Sequence, residues 1–280
     1  MDIPLYQVDA FTDRLFTGNP AAVCPLPQWL PEDTMQSMAL ENKLPETAFI
    51  VAQDGGYGLR WFTPAVEVSL CGHATLAAAH VVFTALHPDW QDVTFHSPSG
   101  PLTCRRVGDT VELDLPAVPW SEAAPAQVPD ALIVALGPVR PVQVLTSMDY
   151  IVVLADERSV RDVRPDLAAL ATLDLRGVAV TAPGDTADIC TRFFGPKLDI
   201  PEDSFTGSTH CALVPYWAAR LGRRELQAAQ LSTRLGRELA IRVTCRYEDD
   251  RVLLGGQARL YLEGTVHLDD ADLADAAARG

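Results

Sequence analysis

Short apolar runs, each broken by glycine, proline or acidic residues, dominate the pattern along this chain. "TAFIV" (47–51) and "RWF" (60–62) have strand length, and "DGGYG" (54–58) between them reads as a hairpin turn. A different pattern begins at Ser69 with "SLCGHATLAAAH". From about 74 to 86 the chain is apolar nearly all round, which predicts a buried helix with a sheet wrapped about it. Pro88 stops it. A second helix of this kind is predicted over about 209–221. It carries Pro215, which removes one internal hydrogen bond, and Gly222 supplies its stop.

The pattern repeats. "PEDTMQSMALENK" from Pro31 is matched by "PDLAALATLDLRG" from Pro165, each with proline and acids at a predicted helix start. "RWFTP" (60–64) is matched by "RFFGP" (192–196), Gly72 by Gly207, and "TCRRVGDTV" (103–111) by "TCRYEDDRV" (244–252). The offsets are 134, 132, 135 and 141, in one order. Four ordered landmarks predict a duplicated α+β chain. Each half reads helix, strand, strand, glycine turn, central helix, hairpin. The expected halves are 1–118 and 119–262, with residues from about 263 to 280 packing back on the first. Duplicated halves place a shared small-molecule site in the cleft between them, and that is the expectation here.

Composition narrows the function. The 280 residues hold 22 Lys+Arg against 37 Asp+Glu, a net charge of −15, so a phosphate backbone would be repelled and nucleic acid is excluded as a partner. "MDIPLYQVDAFTD" has no basic or apolar leader segment, and no run approaches the ~20 apolar residues of a membrane span. A cytoplasmic, membrane-independent protein is expected, with a homodimer as the commonest assembly. Cysteines 24, 71, 104, 190, 211 and 245 form no CxxC pair and read as reduced, mostly buried thiols.

The candidate chemistry is sparse. Cys71 and His73 lack further ligands at zinc-site spacing, and HExxH is absent, so no metal is expected. GxGxxG at a helix start, a Walker A sequence and GxSxG are all missing, so no nucleotide cofactor or serine hydrolase is expected. What remains are two glycine turns, "CGHAT" and "TGSTH", each opening a helix. The first N–H groups of a helix are unpaired and carry partial positive charge, so Gly72 and Gly207 would let a carboxylate approach. Ser208 and Thr209 either join that grip or merely cap the helix. Glu46, at the lip of an apolar strand, is either a desolvated general base or a surface acid. Asp203, four residues before Gly207, either faces the pocket or bonds its own turn. His73 can bind a carboxylate or shuttle protons.

"DAFTDRLFTGNPAAV", "LPETAFIV", "RWFTPAVEVSLCGHATLAAAH", "RFFGPKLDIPEDSFTGSTHCALVPYWAARLG" and "RVLLGGQARLYLEGTVHL" resemble, in order and spacing, the PhzF-like isomerase family of phenazine biosynthesis. The resemblance spans nearly the whole chain. It implies a diaminopimelate epimerase-like fold, with two pseudo-symmetric halves and the site between them. It implies an isomerase without cofactor or metal, in which Glu46 takes a proton from one carbon of a small carboxylate-bearing substrate and returns it to another. His73, Asp203 and Ser208 match the residues that hold substrate and assist the proton. Gly72 and Gly207 match the glycine turns, and Asn19 in "GNP" is a further substrate contact. Related racemases set two cysteines in opposition. Here Cys71 fills the first position and Thr206 the second, which leaves a Cys71-based epimerase, racemase or dehydratase on an amino or imino acid as the rival reading. A metabolite-binding protein without chemistry is the third. "EDSFTGSTH" also departs from the family's usual "EDPVTGSAH", with Ser204 for proline and Phe205 for a smaller residue, so the substrate does not carry over.

Overall fold

The computed structural model describes residues 1–234 and 236–269. The chain divides into two compact units, Met1–Asp114 with the described residues from Gly255 on, and Leu115–Leu254. These limits differ from the expected 118 and 262 because the last described strand, from Ala258, belongs to the first unit's sheet. The part of the expected 263–280 return beyond residue 269 lies outside the described residues.

The first unit contains β1 (Asp2–Ala10), β2 (Asn19–Leu26), α1 (Glu32–Asn42), β3 (Glu46–Gln53), β4 (Gly56–Phe62), β5 (Glu67–Val68) and α2 (Gly72–Val81). β6 (Asp92–Ser97), β7 (Gly100–Val107) and the start of β8 (Thr110–Pro116) complete it. The second contains β9 (Ser121–Glu122), α3 (Asp130–Ala135), β10 (Gln143–Thr146), β11 (Tyr150–Val153), α4 (Glu157–Asp162), α5 (Leu167–Leu170) and β12 (Val178–Pro183). It continues through β13 (Ile189–Gly195), β14 (Ile200–Asp203), α6 (Gly207–Leu221), β15 (Glu225–Arg234), β16 (Arg237–Glu248) and β17 (Arg251–Gly256). β18 (Ala258–His267) pairs antiparallel with β1.

The duplication is visible in the pairing. Along the first sheet β1–β2 is antiparallel, β2–β3 parallel, β3–β4 antiparallel, β4–β6 parallel and β6–β7 antiparallel. Along the second, β10–β11, β11–β12, β12–β13, β13–β15 and β15–β16 follow the same sequence of senses. α2 and α6 each fill the crossover before a parallel strand, β6 and β15.

α2 is the buried helix the pattern predicts. All ten of its residues except His80 are buried, and it packs on β1, β2 and β3. It runs on into a π-helical turn over Val82–Leu86. On the other side of this sheet, Met35, Met38 and Ala39 of α1 pack with Phe49, Phe62 and Leu26. α6 packs on β15 and β16 and closes at Gly222, whose φ of 67° suits glycine. Pro215 cannot donate to the Cys211 carbonyl, and the Val118 N–H does so instead at 3.0 Å. Gly56 is required by a close approach: a Cβ there would lie 2.0 Å from the Thr94 carbonyl oxygen.

One expected element is shorter than its pattern. The helix predicted from Pro165 is the single turn α5, capped by Asp166 accepting from the Ala169 N–H. Beyond it the Lys197 ammonium donates to the carbonyls of Leu173, Asp174 and Leu175.

Candidate active site

In the first unit, three groups separated in sequence meet. Glu46 is the first residue of β3, which runs parallel to β2 with Glu46 opposite Ala21. Asn19, buried at the head of β2, lies two residues along from Ala21. Cys71 is the extended residue before α2, Gly72 its first residue and His73 its second. The His73 Nε2 lies 3.0 Å from a Glu46 carboxylate oxygen, and its Nδ1 lies 3.5 Å from the Cys71 sulfur. All three side chains are buried, Glu46 at 7% exposure and His73 at 3%. The contact between Glu46 and His73 is electrostatic rather than an aligned hydrogen bond, since neither Oε2 nor Nε2 has a hydrogen-bonding partner among the described residues.

Charge orders these groups. Burial works against the His73 imidazolium, but interactions with the Cys71 sulfur and then the Glu46 carboxylate outweigh it and hold His73 well above its ordinary value. The Cys71 thiol is itself pushed up by burial and by Glu46. It is therefore a protonated thiol near neutral pH. The donor atoms of Glu46, Cys71 and His73 lie within 4.8 Å of one another, a grouping that spacing along the chain does not reveal. Each imidazole nitrogen already faces one neighbour, so the arrangement suits a proton path better than a shared ion.

In the second unit, α6 opens a separate constellation. Asp203 ends β14, and its carboxylate accepts from the Thr206 hydroxyl at 2.7 Å and the Phe205 N–H at 3.3 Å. Gln230 ties this turn from β15, donating to the Asp203 carbonyl and accepting from the Thr206 N–H, both at 2.9 Å. Ser208 and Thr209 are not caps. They lie inside α6, where Ser208 accepts from Arg176 at 3.0 Å and Thr209 donates to Asp149 at 2.9 Å. Thr206 and Cys71, which precede α6 and α2, make no side-chain cap bond, in contrast to Asp156 and Asp166 at α4 and α5. The leading N–H groups of the two central helices are thus not closed by their own N-cap side chains. Neither Gly72 nor Gly207 has a positive φ, so each serves by lacking a side chain.

Sequence reasoning missed Arg176 and Asp149. Arg176, two residues before β12, is held side-on by the Asp149 carboxylate at 2.9 and 2.7 Å. It also missed His210, wholly buried against Phe205, which burial lowers to about 4. No motif marks these positions.

The family model for PhzC-PhzF, described as "Phenazine biosynthesis-like protein", matches residues 8–264. An uncharacterized isomerase of Pseudomonas aeruginosa is 47% identical over 96% of this chain and 100% of its own length. The crystal structure of a phenazine biosynthesis protein of the PhzF family from Enterococcus faecalis is 42% identical and superposes with a TM-score of 0.87, covering 96% of this chain and 100% of that one. A predicted epimerase structure from Pseudomonas aeruginosa, 22% identical with a TM-score of 0.69 over 95% of this chain and 100% of its own, shares the fold.

Proposed function

Since the chain belongs to the phenazine biosynthesis-like PhzC-PhzF family and is an isomerase with an epimerase-type α+β fold, we propose that Glu46 is its proton carrier. In this reading Glu46 removes a proton from one carbon of a small carboxylate-bearing metabolite and returns it to another, by general acid–base catalysis. One observation carries it: the Glu46 carboxylate is buried and set 3.0 Å from the buried His73 Nε2 at the start of α2. His73 holds the Glu46 side chain in place for both transfers. Asn19 and Gly72 contact substrate from the first half. No metal or cofactor takes part in this reading.

The Cys71 reading keeps one observation in its favour, the 3.5 Å approach of its sulfur to His73. Its thiol is protonated near neutral pH, which leaves little thiolate to act as a base. Incubation with fractionated bacterial metabolites separates the two. The Glu46 account predicts a carboxylate converted to an isomer of unchanged mass, with conversion retained by Cys71→Ser and abolished by Glu46→Gln. Loss of water from the metabolite, abolished by Cys71→Ser, would establish the rival.

A further inference from the structure

We propose that Cys71 is a positioning residue: its thiol holds the His73 ring so that Nε2–H is turned to Glu46 whether or not the ring is charged. The consequence for catalysis rests on the proposed role of Glu46 as proton carrier, while the positioning itself lies within the first unit. The Cys71 sulfur lies 3.5 Å from His73 Nδ1, and Nε2 lies 3.0 Å from the Glu46 carboxylate. A thiol can meet Nδ1 in either direction, because its S–H is a weak donor and its sulfur a weak acceptor. Beside the imidazolium the sulfur accepts from Nδ1–H. Beside the neutral ring the S–H donates to Nδ1, and the remaining ring proton then sits on Nε2.

Glu46 favours a proton on Nε2 by charge, but the two atoms are not aligned in a hydrogen bond, so the carboxylate sets the ring's angle loosely. The sulfur supplies the second point. A half-turn of the ring would put carbon in place of both nitrogens and lose both contacts. Cys71 is itself firmly placed. It is 6% exposed, its backbone is extended ahead of α2, and its carbonyl accepts from the Thr75 hydroxyl at 2.6 Å and the Thr75 N–H at 3.2 Å. Burial, which pushes the thiol up, keeps the S–H present to donate. It also shields Nδ1 from bulk water that would otherwise serve in place of the thiol. Cys71 and Glu46, the latter from β3, are the titratable groups that act on the ring.

The test needs no substrate. The ring nitrogens of the isotopically labelled full chain are read by NMR from pH 6 to 9.5, with His73 identified by its loss in His73→Gln. Glu46→Gln removes the carboxylate, so the ring loses its proton at lower pH and Cys71 acts without that charge. In this background the neutral ring is expected wholly as the Nε2–H tautomer. Adding Cys71→Ala is expected to raise the Nδ1–H tautomer to at least about a tenth of the population, and adding Cys71→Ser, whose hydroxyl both donates and accepts, to leave it undetected. Equal tautomer populations with and without the thiol, or a ring chiefly Nδ1–H in Glu46→Gln, overturns the assignment. If the alanine variant fails to fold, the tautomer found in Glu46→Gln still decides. Normal turnover by Glu46→Gln would defeat the proton-carrier reading and leave the tautomer result standing.

Discussion

His73→Gln is the perturbation that exposes the electrostatics of the first constellation. A carboxylate and an imidazolium 3.0 Å apart attract by about 5 kcal/mol at an effective dielectric near 20. Taking two ions out of water costs several kcal/mol each, so the intact pair adds little net stability. Removing only the imidazolium leaves Glu46 buried without its partner, and the expected loss is about 3–5 kcal/mol. The sign with pH follows from the direction of the shift. His73 is raised above its unfolded value, so the folded protein binds its proton more tightly than the unfolded chain. That contribution is fully present below the unfolded value near 6.5 and is lost as pH rises through the folded one. Urea unfolding of wild type and His73→Gln from pH 6 to 9.5 checks this. The stability difference should be largest at pH 6 and shrink with rising pH, by up to about 1.4 kcal/mol per unit between the two values. In a Glu46→Gln background the pH dependence should weaken, with the Cys71 contribution remaining. A difference that is flat, or that grows with pH, would refute the ion pair.

Four further expectations follow from the same contacts. Asp149→Asn removes the charge that holds Arg176 and receives Thr209, and should destabilise the chain by about 3 kcal/mol in urea unfolding. Cys71 is buried with a raised thiol, so iodoacetamide at pH 7 should leave it unmodified in the folded protein and label it on unfolding. The His210 imidazole, lowered to about 4, should show the neutral form in NMR spectra at pH 5.5 and above. Pro215→Ala should change stability by less than about 1 kcal/mol, because the Cys211 carbonyl already has the Val118 N–H.

The duplication was legible because it rests on local chemistry repeated in order. Proline and acids open a helix, an Arg-aromatic strand follows, and a glycine turn leads to an apolar helix. The strand senses of the two sheets bear this out from β1–β2 through β6–β7. α2 was legible for a related reason, since a helix apolar on every side has to be buried. α5 is shorter than its pattern, and the carbonyls of Leu173 to Leu175 beyond it are met by Lys197, a contact that leaves no local pattern. The grouping of Glu46 with Cys71 and His73 was hidden from a search by spacing. The parallel pairing of β2 with β3 and the crossover to α2 bring those residues together. Arg176 was passed over because an arginine before a glycine carries no motif.

The central claim is that Glu46 moves the proton, and deuterium uptake from heavy water tests it most directly. Wild type, Glu46→Gln and Cys71→Ser are incubated in heavy water with the converted metabolite, and carbon-bound deuterium is read by mass spectrometry and NMR. The account predicts uptake at the exchanging carbons by wild type and Cys71→Ser, and a loss of at least a thousandfold in Glu46→Gln. Uptake by Glu46→Gln at the wild-type rate, or loss confined to Cys71→Ser, would contradict it.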